Sequence, residues 1–480
     1  MDENKKTKNK NLIIGTIAII IIVGLIACFI IAYNNTTISN IETGDNIEEN
    51  NIDDIKNSET TDNTITESSK SDSSGSTIAI NSKKVSITSG GSYDLSGSYE
   101  SITINTKQDV TLNLNGAEIT NTSGPAINIE SAGTVTIALS NTNKVTATTT
   151  EDLNGAIYSK ADLVFIGTGN LEVKSNYDGI VSKDTLVIKN GTYTINSDDD
   201  GIRGKDSVEI LAGTYTINAG GDGIKSTNDE DSELGNITIS GGTYNITAYN
   251  DGIQAETNLT IKNGEFTIIT TDTSNSDSAK GLKAGNVITI DGGKYNINTI
   301  DDGIHSNGNI TINNGEFTIT SKDDDIHADG MIEINGGTFT LSGAEGIEAT
   351  YVKINDGTIN INASDDGINA GNKSSNYSAT IEINGGNITI TMGQGDTDGI
   401  DSNGDIIING GTISVTGQST FDYDGTGTIN GGTVICNGEK VTTLPNQMMG
   451  GGMKGGMMDR NGNQMNQNDR MQNGGWPGKR

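Results

Sequence analysis

Apolar and polar residues alternate one for one in short runs from about residue 77 to residue 445, as in Asn309-Ile310-Thr311-Ile312 and Phe317-Thr318-Ile319-Thr320. A period of two marks a strand with one buried face. Glycine turns such as Asn314-Gly315 separate the runs, because glycine and Asx residues enter left-handed conformations cheaply. No part of this region carries a helical period.

The runs belong to one repeat. A Gly-Ile pair recurs behind Asp at Asp178-Gly179-Ile180, Asp200-Gly201-Ile202, Asp222-Gly223-Ile224, Asp251-Gly252-Ile253, Asp302-Gly303-Ile304, Asp366-Gly367-Ile368 and Asp398-Gly399-Ile400. Lys280-Gly281-Leu282, Asp324-Asp325-Ile326 and Glu345-Gly346-Ile347 are divergent copies. The central position steps by 22, 22, 29, 29, 22, 22, 21, 21 and 32 residues. A unit of about 22 residues with three short strands fits one coil of a parallel β-helix. Leucine-rich repeats need a Leu/Asn ladder that is missing, and propeller blades need about 40 residues per repeat. Stacking the units lines up three inward ladders, typified by Ile180-Ile202-Ile224, Ile188-Ile210-Ile239 and Ile195-Ile217-Ile246. An aromatic column, Tyr193, Tyr215, Tyr244, Phe266, Tyr295, Phe317 and Phe339, lies two residues before the third ladder. It therefore shares that ladder's inward face and is read as core, with a sugar-stacking platform as the alternative.

The ends differ. Residues 1–11 carry Lys5, Lys6, Lys8 and Lys10, and residues 12–33 form an uncharged apolar run. Twenty-two residues are about enough to span a bilayer as a helix, and the lysines place the N-terminus inside. The expectation is an uncleaved single-pass cell-membrane anchor with an extracellular body. Alternatives are a lipoprotein through Cys28, after Leu25-Ile26-Ala27, or a cleaved signal. Residues 34–76 read as a disordered acidic linker. Residues 446–480, with seven of the ten Met, read as a flexible Gly/Met/Asn-rich tail, with Cu(I) binding by thioethers as the alternative.

Composition sharpens this reading. The chain has 480 residues, 62 acidic against 30 basic, and a net charge of −32, which argues against nucleic-acid binding. Its 64 Gly mark the turns, and 32% hydrophobic residues suffice for a narrow column. Two Cys form no disulfide framework. Stacking also puts Asp199, Asp200, Asp222, Asp251, Asp301, Asp302, Asp323, Asp324, Asp325, Asp365, Asp366 and Asp398 along one edge. Carboxylates about 4.8 Å apart repel by about 1 kcal/mol each even in water, and hard oxygen donors at rigid turns suit Ca²⁺. Simple capping of the turns by Asp is the other reading.

The sequence resembles the bacterial carbohydrate-binding proteins of right-handed parallel β-helix fold, similar in shape to pectate lyases. The likeness begins at Gly91-Ser92-Tyr93-Asp94-Leu95-Ser96-Gly97. It continues through Asp109-Val110-Thr111-Leu112-Asn113-Leu114-Asn115-Gly116 and Gly124-Pro125-Ala126-Ile127, then through the Asp-Gly-Ile coils to about residue 440. The resemblance implies calcium binding by the Asp-Gly-Ile motifs, and binding of cellulose or of acidic sugars such as polygalacturonate. It leads to the expectation of a monomeric, non-catalytic, calcium-dependent polysaccharide-binding protein. The alternatives are a structural or adhesive wall protein, or a β-helix lyase or hydrolase. A lyase base would be Arg203, Lys205, Lys225 or Lys322. The segment Asp396-Thr397-Asp398-Gly399-Ile400-Asp401 resembles polygalacturonases, with Asp365-Asp366 as mimic carboxylates, but their Gly-His-Gly and Arg-x-Lys elements are missing. His305 and His327 fall one coil apart and are read as turn residues beside acidic groups, or as a base or ligand.

Overall fold

The structure, a computed structural model, describes residues 64–65, 78–79, 83–272, 279–395 and 397–446. The expected anchor at 12–33 and the tail after residue 446 lie outside the described residues. So does the linker, except Thr64 and Ile65, which pair in parallel with Ser86 and Ile87. These two residues of the expected linker thus join the first coil.

The described chain is all β, without a helix, and its strands stack in parallel coil on coil. A typical coil holds three strands, such as Ile202–Gly204, Ser207–Ile210 and Thr214–Ala219. Each pairs with its equivalents one coil before and one coil after. The three ladders hold register: Ile180 lies against Ile202, Ile188 against Ile210, Ile195 against Ile217. All of these residues are fully buried. The alternation explains this, because Ile and Val point inward while Thr and Asn face out.

The aromatic column is core. Successive rings from Tyr193 to Phe339 stack within 5° of parallel at centroid distances of 4.6 to 5.1 Å. The four tyrosines reach out of the core by donating to turn carbonyls three residues back, as Tyr215 does to Ala212 at 2.8 Å. This satisfies the one polar atom of each buried ring.

The stack is longer than the Asp-Gly-Ile repeat. Ile102, Ile127 and Ile157 continue the first ladder upstream of Ile180, and Phe421 continues it beyond Ile400. At the central position the glycine is required by close approach: a Cβ on Gly201 would lie 2.5 Å from the carbonyl oxygen of Gly223 and 2.6 Å from Ile217. Another turn carries an asparagine ladder. Asn335 donates to Asn313, Asn355 to Asn335, Asn384 to Asn355, Asn409 to Asn384 and Asn430 to Asn409, at 2.7 to 3.0 Å. The long repeats are loops, such as 227–235 and 371–379, leaving the coil without breaking it. At the C-terminal end Glu439–Val441 pairs antiparallel with Thr433–Cys436.

Candidate functional site

The acidic edge forms where the third strand of one coil turns into the first strand of the next. The Asp before Gly-Ile is buried at positions 178, 200, 222, 251, 302 and 324. At 178, 200, 222, 251 and 302, and at half-buried Asp366, Oδ1 accepts the backbone N–H of the equivalent residue in the following coil. Asp178 accepts from Asp200 at 3.1 Å, Asp200 from Asp222 at 2.9 Å and Asp222 from Asp251 at 2.8 Å. Asp251 accepts from Lys280, Asp302 from Asp324 and Asp366 from Asp398 in the same way. Each Asp thus caps its neighbour's turn rather than its own, leaving Oδ2 and a negative charge to be neutralised.

A second ladder does this. The residue after Gly-Ile runs in register as Val181, Arg203, Lys225, Gln254, Lys283, His305, His327, Glu348, Asn369, Asp401 and Asp422. Arg203 lies 2.6 Å from Asp178 Oδ2 and 3.6 Å from Asp200. Lys225 lies 2.6 Å from Asp222, and Lys283 3.1 Å from Asp251. Lys280, in the Asp position, pairs with Asp301 and lies 3.6 Å from Asp302. His305 Nδ1 is 2.7 Å from Asp302 and His327 Nδ1 is 2.6 Å from Asp324. From Asp178 to Glu348 the neutralising cations that sequence reasoning assigned to calcium are therefore present as side chains.

Electrostatics follow this geometry. Burial pushes the Asp178 carboxyl up to about 7 despite Arg203, and Asp222 to about 6 despite Lys225. Burial also opposes ionisation of Asp302, yet the hydrogen bond from His305 and the charge of Lys280 hold it below the usual carboxylate range. Beyond Glu348 the pattern inverts. Asp366 is pushed up to about 7 by burial and by Asp401, Asp365 and Asp398, and Asp401 to about 6 by burial and by Asp398, Asp422 and Asp424. No Lys, Arg or His among the described residues pairs with Asp366, Asp401 or Asp422.

The expected metal residues thus fall into classes. Asp200, Asp222, Asp251 and Asp302 are buried caps, and Asp324 is buried with its Oδ2 against His327; Asp199, Asp301, Asp366 and Asp398 are half-buried; Asp323 and Asp365 are exposed. Asp325 is buried in the place that glycine takes elsewhere, bonded to the Ser321 hydroxyl at 2.9 Å, and burial pushes it up to about 8. Carboxylate oxygens converge within 4.8 Å at Asp178/Asp199/Asp200 and at Asp301/Asp302/Asp323, each already holding a side-chain cation. Sequence reasoning left Asp178, Glu345, Glu348, Asp401 and Asp422 out of the metal set, and read Arg203 and Lys225 as candidate bases and His305 and His327 as turn residues, bases or ligands, not as rungs of one counterion ladder. Reading the residue after Gly-Ile as a column would have found most of them.

A parallel β-helix with a charged edge is the class that this geometry defines. The sequence model of the family described as carbohydrate-binding domain-containing protein matches residues 81–325 and 322–444. The chain belongs to that family, and a polysaccharide is the class of partner that membership gives it. No curated protein matches the chain significantly. A solved structure titled as the polysaccharide lyase-like protein from C. thermocellum, a gadolinium derivative, aligns with 49% of this chain and 96% of its own, at 27% identity and a TM-score of 0.40.

Proposed function

We propose that this chain is a membrane-anchored, extracellular, calcium-dependent polysaccharide-binding protein, non-catalytic, taking cellulose or a polyuronate such as polygalacturonate, on a right-handed solenoid. The observation that carries the calcium reading is the stretch around Asp366, Asp398, Asp401 and Asp422, where half-buried acids stack coil on coil and Asp366, Asp401 and Asp422 meet no cationic side chain among the described residues. Oxygen donors of this kind fit Ca²⁺, which would neutralise the edge and let it face an anionic sugar. The residues present fit the ion there better than in the coils that carry Arg203 or Lys225.

Three of the four candidate bases support binding rather than catalysis. Arg203 is held by Asp178, Lys225 by Asp222 and Lys205 by Glu230 at 2.8 Å. Proton abstraction needs an unprotonated base. Lys225 is shifted the other way, burial being outweighed by Asp222 and Asp200.

The test uses the full chain in detergent micelles. Retention on cellulose, polygalacturonate and neutral glucan columns is measured with 5 mM Ca²⁺ and with EDTA, while released reducing ends and unsaturated uronates are assayed. Retention lost in EDTA, without product, is expected. No retention on any glycan overturns the binding reading, and product formation overturns the non-catalytic one.

A further inference from the structure

The chain contains two histidines in 480 residues, and the fold puts them on consecutive rungs of the same ladder, with ring centroids 4.8 Å apart. Their side chains are 15% and 12% exposed. They stand where the ladder changes sign, between Lys283 and Glu348. The basic rungs above them, Arg203, Lys225 and Lys283, neutralise carboxylates but do not ligate while protonated.

The surroundings of His327 differ from those of an ordinary ion pair. Its Nδ1 lies 2.6 Å from Asp324 Oδ2 and 3.1 Å from Glu348 Oε2, and its Nε2 lies 3.5 Å from Asp329. Nδ1 carries at most one hydrogen, so one N–H faces two carboxylate oxygens. Donor atoms of Asp324, His327 and Glu348 converge within 4.8 Å, and those of Asp302, His305 and His327 do the same, the two sets sharing His327. His305 Nδ1 is bound to Asp302 at 2.7 Å and its Nε2 to Asn307 at 2.9 Å. One nitrogen and two oxygens from two consecutive coils make a partial coordination shell.

We infer that Asp324, His327 and Glu348, with His305 and Asp302 beside them, form a site for a borderline-soft divalent cation of the Zn²⁺ class, chemically distinct from the all-oxygen edge. Imidazole nitrogen joined to carboxylates is a usual Zn²⁺ donor set, whereas Ca²⁺ takes oxygen ligands. Three protein ligands leave a position for water or for an oxygen of a bound molecule. Lys373, from the 371–379 loop, contacts Glu348 Oε2 at 2.6 Å and is the competing cation; it is 32% exposed and can turn into solvent. The inference rests on this geometry alone, not on calcium or polysaccharide binding.

The test is titration of the full chain with Co²⁺ as a spectroscopic probe, then Zn²⁺ by calorimetry, both in millimolar Ca²⁺ and without glycan. One equivalent of Co²⁺ is expected, with visible bands of a nitrogen-containing site, displaced by Zn²⁺. His327→Lys restores the counterion used in neighbouring coils but removes the ligand. It should weaken Zn²⁺ at least 100-fold, while Glu348→Gln weakens it about 10-fold and Lys373→Ala tightens it. In wild-type protein labelled with ¹⁵N-histidine, Zn²⁺ should shift the imidazole nitrogens, a readout that needs no variant. Failure of wild type to take up Co²⁺, displacement of Co²⁺ by Ca²⁺, unchanged affinity in His327→Lys, or unmoved histidine resonances would each overturn the site and leave the imidazoles as counterions.

Discussion

Two stretches of one edge solve the same problem differently. From Asp178 to Glu348 the ladder carries basic side chains at Arg203, Lys225, Lys283, His305 and His327, and the buried carboxylates end in ion pairs. From Asp366 to Asp422 the coil is built the same way, with the same Asp-to-amide cap, yet the cationic rung has become Asn369, Asp401 and Asp422. The comparison separates two jobs that an Asp-Gly-Ile motif performs. Capping is done by Oδ1 in both stretches; neutralisation is done by side chains in one, whereas in the other no cationic side chain among the described residues pairs with Asp366, Asp401 or Asp422.

The largest expected effect breaks the compensated stretch. Arg203→Ala leaves Asp178, fully buried, without its partner. Removing one member of a buried pair costs about 3–5 kcal/mol, so urea unfolding should move accordingly and amide exchange in the coils from 178 to 226 should accelerate first. Loss confined to less than about 1 kcal/mol would mean that the pair is not needed.

The next effect probes the other stretch. Asp366 and Asp401 have folded-state values raised to about 7 and about 6. A raised value means that their contribution to metal-free stability is present below the unfolded value near 4 and is lost as pH rises through 6 to 7. Calcium acts on the ionised form, so its stabilisation should be small at pH 5 and about 3 kcal/mol at pH 8 when present at 100-fold above its dissociation constant or more. Calorimetric melting in Ca²⁺ and in EDTA at both pH values checks this; equal shifts at the two would contradict it.

Converting one stretch into the other sharpens the comparison. Asp401→Lys gives the C-terminal stretch the cation that Lys225 provides upstream. It should stabilise the EDTA-treated protein by about 1–2 kcal/mol and remove most of the calcium shift. Smallest is Asp325→Gly, which restores the repeat and removes a buried acid that burial raises to about 8. Relief of that burial, about 1–3 kcal/mol, less about 1 kcal/mol for glycine flexibility, leaves a gain of about 1 kcal/mol. The gain should grow between pH 5 and pH 8, as measured by denaturant midpoints.

The solenoid was legible because every coil repeats its inward residues at fixed spacing; all three Ile ladders and the buried aromatic column stand in the register that the alternation implies. The coils at Ile102, Ile127 and Ile157 were harder to see as repeats. They keep the strand pairing while losing the Asp-Gly signature, with Ala126 and Ala156 at the central position. The edge was half legible. Counting aspartates along the chain shows a column of charge, but which Oδ2 meets which cation depends on side chains a coil away, about 22 residues distant in sequence. His327 shows the limit: its neighbours Asp324 and Glu348 come from two coils, and nothing local to it predicts that both would reach the same nitrogen.

The antiparallel closure at the C-terminal end has a consequence for solubility. A stack of parallel coils ends in a strand whose outer amides and carbonyls are a template for another chain. Here Glu439–Val441 folds back on Thr433–Cys436 with reversed direction and places Glu439 and Lys440 on that rim. A second copy arriving in the direction that the stack propagates meets the wrong hydrogen-bond pattern and two charges. The last hairpin thus blunts one of the three strand edges of the final coil against addition of another chain.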